Sequence, residues 1–170
     1  IQRGVIGEVR SPLVRDWQAD AAKVRIPREL LAIDRDLVNR DCGETDKFTR
    51  AGCCPRPFEQ LQFIRGTAEL YMDLMDPSPA FLEFVGRMRR FYCDLVGAWV
   101  KTDVDSVMFM DDWGSQRALL VSPATWREYF KPMYRDFIQI IHGGGKKAFM
   151  HSDGDISAIY PDLVELGLDA

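Results

Sequence analysis

Two short runs in the second half of the chain pass from an apolar, strand-like pattern straight into side chains able to do acid–base or metal chemistry. Residues 106–112 read SVMFMDD, residues 147–154 read KAFMHSDG, and a helical pattern follows each. Polar residues just past the C-terminal end of a parallel strand lie on the face where barrel active sites are built. Asp111, Asp112, His151 and Asp153 are therefore expected to converge on one cleft. A carboxylate there can take or give a proton, or anchor a cationic or hydroxyl-bearing group. Neighbouring residues at a strand end point in different directions, so one of Asp111 and Asp112 is expected to face the cleft. The competing role for such an acid is to cap a turn.

His151 is one of two histidines, and at a strand end it can ligate a metal or shuttle protons near neutral pH. With Asp153 it forms His-x-Asp, a two-ligand arm for a divalent ion. The competing readings are a histidine satisfied inside the barrel and an Asp-Gly turn or helix cap at Asp153. Trp113 can stack on a flat ligand or simply pack. His142 precedes three glycines at a helix end, where a cation is stabilised by the helix dipole, which points to a structural role. The run GGGKK lies after a helix and before a strand, the reverse of a phosphate-binding loop, and no Ser or Thr follows its lysines.

The elements that must hold these residues follow from pattern. An edge strand or hairpin arm is expected over 5–9 and a helix over 27–40, with Pro27 in its first turn. A weak strand over 47–51 precedes helices over 57–64 and 68–75. Residues 79–101 carry one apolar stripe at helical spacing (Phe81, Phe84, Val85, Met88, Tyr92, Leu95, Val96, Trp99), with Ser78 as N-cap. Ser122-Pro123 opens a helix running through Ile141, and Pro132 is expected to kink it. A short helix over 156–166 ends at Gly167, and a further strand begins in LGLDA. Strands alternating with helices imply βαβ units and a parallel sheet.

Composition narrows the field. A chain of 170 residues supports one domain with a real core. At 46% hydrophobic and 28% charged it has the make-up of an ordinary soluble protein. A net charge of −4 argues against nucleic-acid binding, and the densest basic group (Arg87, Arg89, Arg90) reads as a solvated helix face. No apolar run approaches the roughly 18–20 residues that span a bilayer. The charged start IQRGVIGEVR does not read as a signal peptide. Cys42, Cys53, Cys54 and Cys93 form no CxxC pair and are expected to be free thiols of a cytoplasmic protein. The start without Met and the end at a nascent strand are those expected of a fragment of a longer protein.

The stretch MDDWGSQRALLVSPATWREYFKPMYRDFI resembles the uroporphyrinogen decarboxylase superfamily. In that superfamily a strand ends in an Asp-Ser-Trp-Ala-Gly-like motif, followed by a Ser-Pro helix and a Pro-Tyr segment, here Pro132-Met133-Tyr134. Upstream, CPRPFEQLQFIRG is similar to the family's Gly-Ala-Pro-Phe-Thr loop and following helix. The similarity covers residues 47–170. It implies a (β/α)8 TIM barrel, present here in part, with 1–46 as an N-terminal strand, loop and helix and 47–170 as successive βα units.

The resemblance implies one of two chemistries. One branch decarboxylates the acetate arms of uroporphyrinogen, a tetrapyrrole, without a cofactor. The other moves a methyl group between a corrinoid (cobalamin) and a thiol or small methylated substrate, often with zinc, and KAFMHSDGDISAIYPDLVELGLDA is closer to it. Its zinc enzymes have His-x-Cys-Gly where this chain has His151-Ser152-Asp153-Gly154. On this resemblance Asp111, Asp112 and His151 are the expected catalytic residues. Arg56, Phe58, Trp113 and Ser152 are expected to bind substrate, and His151 with Asp153 to hold a metal. The implied partners are a small-molecule or tetrapyrrole substrate and a corrinoid protein. A non-catalytic ligand-binding barrel is the third reading.

Overall fold

The computed structural model describes residues 9–170, so the strand expected over 5–9 falls almost wholly outside the described residues. Three parallel strands make the sheet in the order β1 (Arg50–Ala51), β2 (Ser106–Met110), β3 (Lys147–His151). The register pairs Arg50 with Ser106 and Ser106 with Lys147, and ends with Met110 opposite His151. The residues that follow β2 and β3 are thereby forced side by side. Asp169 and Ala170 already bond along the free edge of β3: the Asp169 N–H donates to Ala148 O at 3.1 Å, and the Met150 N–H to Ala170 O at 2.8 Å.

Helices cover one face of the sheet. The chain runs through α1 (Trp17–Asp20), α2 (Arg35–Gly43), β1, α3 (Pro57–Arg65), α4 (Thr67–Met75), α5 (Pro79–Trp99), β2, α6 (Pro123–Tyr129), α7 (Lys131–Gly143), β3 and α8 (Tyr160–Leu166). The stripe read for α5 is buried from Phe81 to Val96, with Trp99 partly buried, and Ser78 accepts the Phe81 N–H at 3.2 Å with Pro79 in the first turn. Val107 and Phe109 point from β2 into the helical layer and are fully buried. There Phe109 meets Tyr134 and Phe137 of α7 at ring separations of 5.1 and 5.7 Å. Met108 and Met110, on the alternate positions, are half-buried on the opposite face.

Three expected helices are broken rather than continuous. The one over 27–40 becomes a 3-10 turn, Arg28–Leu31, followed by α2, because Asp34 turns its carboxylate back to accept the Leu37 N–H at 3.0 Å and starts a new helix. The kink expected at Pro132 is a full break at Phe130, which ends α6 and caps α7; Pro132 then sits in a first turn where its missing N–H costs nothing. Likewise a 3-10 turn at Ser157–Ile159 precedes α8, with Pro161 in the first turn. Gly167 ends α8 at φ 83°, the left-handed conformation expected of it.

The C-terminal helix is tied down by charge. Asp162 on α8, 7% exposed in its side chain, meets Arg127 of α6 at 2.9 Å and Lys131 of α7 at 2.8 Å. Hydrogen bonds from Arg127 and then Lys131 hold its carboxyl down to about 2. A depressed carboxyl contributes stability that is present above the unfolded value of 3.8 and is lost as pH falls through about 2. Urea midpoints followed from neutrality into acid should fall along this limb. Asp162→Asn should start lower at neutral pH and lose stability less steeply in acid. Among the described residues no helix is long and apolar enough to cross a membrane.

Candidate active site

Asp111 follows the last residue of β2 and is completely buried. Its Oδ2 accepts the Phe58 N–H at 3.0 Å and its Oδ1 the Glu59 N–H at 2.9 Å, so it closes the N-terminus of α3 from a strand 52 residues away. Tyr134 of α7 donates its hydroxyl to Oδ2 at 2.9 Å, and Trp113 donates its indole N–H to the Tyr134 oxygen at 2.7 Å. Burial pushes the Asp111 carboxyl up to about 8, against the three donors that pull it down. No oxygen of Asp111 reaches a solvent-facing cleft. In this structure Asp111, for which a catalytic role was expected, is the polar joint between β2, α3 and α7.

Two residues expected to line a substrate pocket are buried beside it. Phe58 and Trp113 have no exposed surface. Their rings stack at 4.3 Å and 17°, with Phe130 edge-on to Trp113 at 4.6 Å. Ring faces already covered by other rings cannot stack on a flat ligand. Ser152 is also engaged, since its hydroxyl accepts the Trp113 N–H at 3.0 Å and lies 3.3 Å from the Asp153 carbonyl oxygen. It stitches the two strand-end loops together.

The exposed polar side chains belong to the next residues along. The side chains of Asp112, His151 and Asp153 are 36%, 48% and 75% exposed. His151 Nε2 lies 3.8 Å from Asp112 Oδ1 and 3.4 Å from Asp153 Oδ1. The Asp153 N–H donates to Asp112 Oδ1 at 2.9 Å, so one loop sets the position of the other. Behind them the backbones of Gly114 and Gly154 are in contact: a Cβ on either would strike the other, and Gly154 sits at φ 77°. The His-x-Asp spacing thus delivers both side chains to one point because the loops can approach this closely. Of the two adjacent acids, Asp112 is the one that reaches solvent.

Glu59 was not singled out by its sequence. It occupies the first turn of α3, where an acid reads as ordinary helix capping. Its side chain is 14% exposed, and its Oε2 has neither accessible surface nor a hydrogen-bond partner. Burial and then the charge of Asp112 raise its carboxyl above the usual range, with Asp153 adding to the effect and Arg56 and His151 opposing it. Arg56, at the N-cap of α3, brings its guanidinium within 3.9 Å of Glu59 Oε1 and 3.0 Å of Met110 Sδ. The residues that meet here are thus three carboxylates, one imidazole and one guanidinium.

Donor atoms of Asp112, His151 and Asp153 all lie within 4.8 Å of one another, which makes them the residues able to hold an ion. They offer one nitrogen and two carboxylate oxygens, and no cysteine joins the group among the described residues. Burial pushes the Cys53 thiol, which lies against the Met108 carbonyl of β2, up to about 12. This donor set does not fit a sulfur-rich zinc site.

Parallel strands with interposed helices and exposed polar residues at their C-terminal ends have the pattern of an α/β barrel segment. Residues 12–170 match the family described as uroporphyrinogen decarboxylase (URO-D), and the chain belongs to that family. A methyltransferase from Methanosarcina mazei shares the fold at a TM-score of 0.66 and 16% sequence identity, over 92% of this chain and 46% of that one. The chain therefore spans about half the length of that structure, and corresponds to part of a URO-D-like barrel. No curated protein matches the chain.

Proposed function

We propose that the chain carries the strand-end cleft of a methyl-transferring enzyme. In this reading it moves a methyl group between a corrinoid, presented by a corrinoid protein, and a thiol or small methylated substrate. The observation that carries the reading is the charge of the cleft. Glu59, Asp112 and Asp153 face Arg56 and a half-exposed His151. A tetrapyrrole with acidic arms needs several cations around it, whereas carboxylates held together repel it. A bound corrinoid would supply the methyl group in a form that a nucleophile can accept.

The chain's own residues bind and orient. Asp112 fixes the residue 151–153 loop through the Asp153 N–H, so that His151 and Asp153 present their donor atoms together to the substrate head group. Arg56 closes the side of the cleft toward α3. Asp111, Trp113 and Tyr134 keep the strand ends from moving apart. The fold likeness to a methyltransferase agrees with this assignment. The test is turnover by the full chain of methylcobalamin with a thiol, compared with uroporphyrinogen. Loss of the methylcobalamin spectrum with formation of the methylated thiol supports the reading. Release of carbon dioxide from uroporphyrinogen contradicts it, as does tight corrinoid binding without turnover.

A further inference from the structure

The basic run of α5, which reads in the sequence as a solvated helix face, forms one wall of a groove. Residues 24–28 pack beside the helix, tied to it by Arg28 and Asp94 at 3.5 Å, and leave an open space of about 940 Å3. Arg87, Arg89 and Arg90 stand on the α5 side and Arg25 and Arg28 on the other, with no lysine in the lining. Val24, Ile26 and Phe91 add apolar surface to it. Three of the five arginines are neutralised in place: Arg25 by Glu29 at 2.6 Å, Arg28 by Asp94, and Arg89 by Asp136 at 2.6 Å. Arg87 and Arg90 have no ion pair among the described residues, and the Arg87 guanidinium lies 5.7 Å from the centre of the Phe84 ring. Both aspartates of the lining are already engaged, so the groove holds two uncompensated guanidiniums in a chain whose net charge is −4.

We propose that this groove binds an acidic, extended segment of a partner protein, with carboxylates on Arg87 and Arg90 and apolar side chains against Val24, Ile26 and Phe91. A guanidinium pairs with a carboxylate through two parallel N–H donors, and arginine clusters are a recurrent means of recognising acidic motifs. The openness of the groove favours a segment over a small molecule. The Arg25 and Arg28 side chains are 73% and 71% exposed, whereas a small-ligand pocket buries most of its ligand. Two free cations in an acidic chain are too few for a nucleic acid, whose binding draws on many phosphate contacts. The groove shares no residue with the Asp112, His151 and Asp153 cluster, so a partner docked here is held without touching the groups of the proposed function.

The experiment is fluorescence anisotropy of the full chain with a fluorescein-labelled peptide of alternating glutamate and leucine. The peptide should bind, and raising NaCl from about 0.05 M to about 0.5 M should weaken it by about 10-fold or more. Arg87→Glu combined with Arg90→Glu should weaken it by about 10-fold or more with circular dichroism unchanged. Arg87→Gln with Arg90→Gln, which keeps the side-chain bulk, should weaken it in the same direction and covers the case in which the reversed charges disturb folding. Lys47→Glu with Lys101→Glu makes the same change in net charge at exposed positions outside the groove and should bind within about 2-fold of wild type. No binding by the wild type, binding indifferent to the arginine variants, or an equal loss in the lysine variant overturns the proposal. Inorganic tripolyphosphate that binds more tightly than the peptide and depends on the same arginines assigns the groove to a free phosphate ligand and overturns it too. So does a dimer of the chain that the arginine variants dissociate, since the groove then serves a second copy.

Discussion

Asp111→Ala is expected to cost the protein much of its stability. The substitution strands the Phe58 and Glu59 N–H groups and the Tyr134 hydroxyl in a region without water. Each buried donor left unpaired costs about 1–3 kcal/mol, so three remove about 3–9 kcal/mol. A folded domain holds about 5–15 kcal/mol in total. Asp111→Asn keeps one acceptor oxygen and should lose less. The two variants also share a pH signature. A carboxyl raised from 3.8 to about 8 contributes stability that is complete below 3.8 and is lost as pH rises through about 8. Both variants should lack that decline between pH 3.8 and about 8. Urea denaturation across pH measures both effects, and an Asp111→Ala change below about 1 kcal/mol would show that the buried network is not holding the strand ends.

His151→Ala is expected to do the opposite. Its side chain is half exposed and its nearest charged groups are two carboxylates, so removing it leaves no buried donor unpaired. Stability should move by no more than about 0.5 kcal/mol. Methyl transfer should fall by about 100-fold or more, the usual consequence of losing a group that positions substrate or moves its proton. Thermal melts with steady-state rates on the same preparation give both numbers.

The difference between these neighbours was only partly written in the local sequence. The apolar stripe of α5, the Ser78 and Ser122 caps and the strands SVMFM and KAFMH follow from spacing within a few residues. The parallel order and the convergence of the two strand ends follow from the alternation of strands and helices. Which of Asp111 and Asp112 turns inward depends on where the N-terminus of α3 docks, and that contact spans more than 50 residues. Trp113 reads as a ligand platform until Phe58 and Phe130 are seen covering its faces. Glu59 stayed hidden for the converse reason: an acid in a helix's first turn has an ordinary local explanation, and only the tertiary approach of β2 and β3 gives it neighbours. Local pattern identified the loops, whereas packing decided which side chains face out.

Under the proposed function, chemistry lies with the exposed His151 cluster and the buried Asp111 is frame. The measurement that tests it most directly is the methyl-transfer rate per folded molecule in Asp111→Asn and His151→Ala against the wild type. Asp111→Asn should keep a rate within about 10-fold of wild type while losing stability, and His151→Ala should keep stability while losing the rate. Full activity in folded His151→Ala would contradict the account.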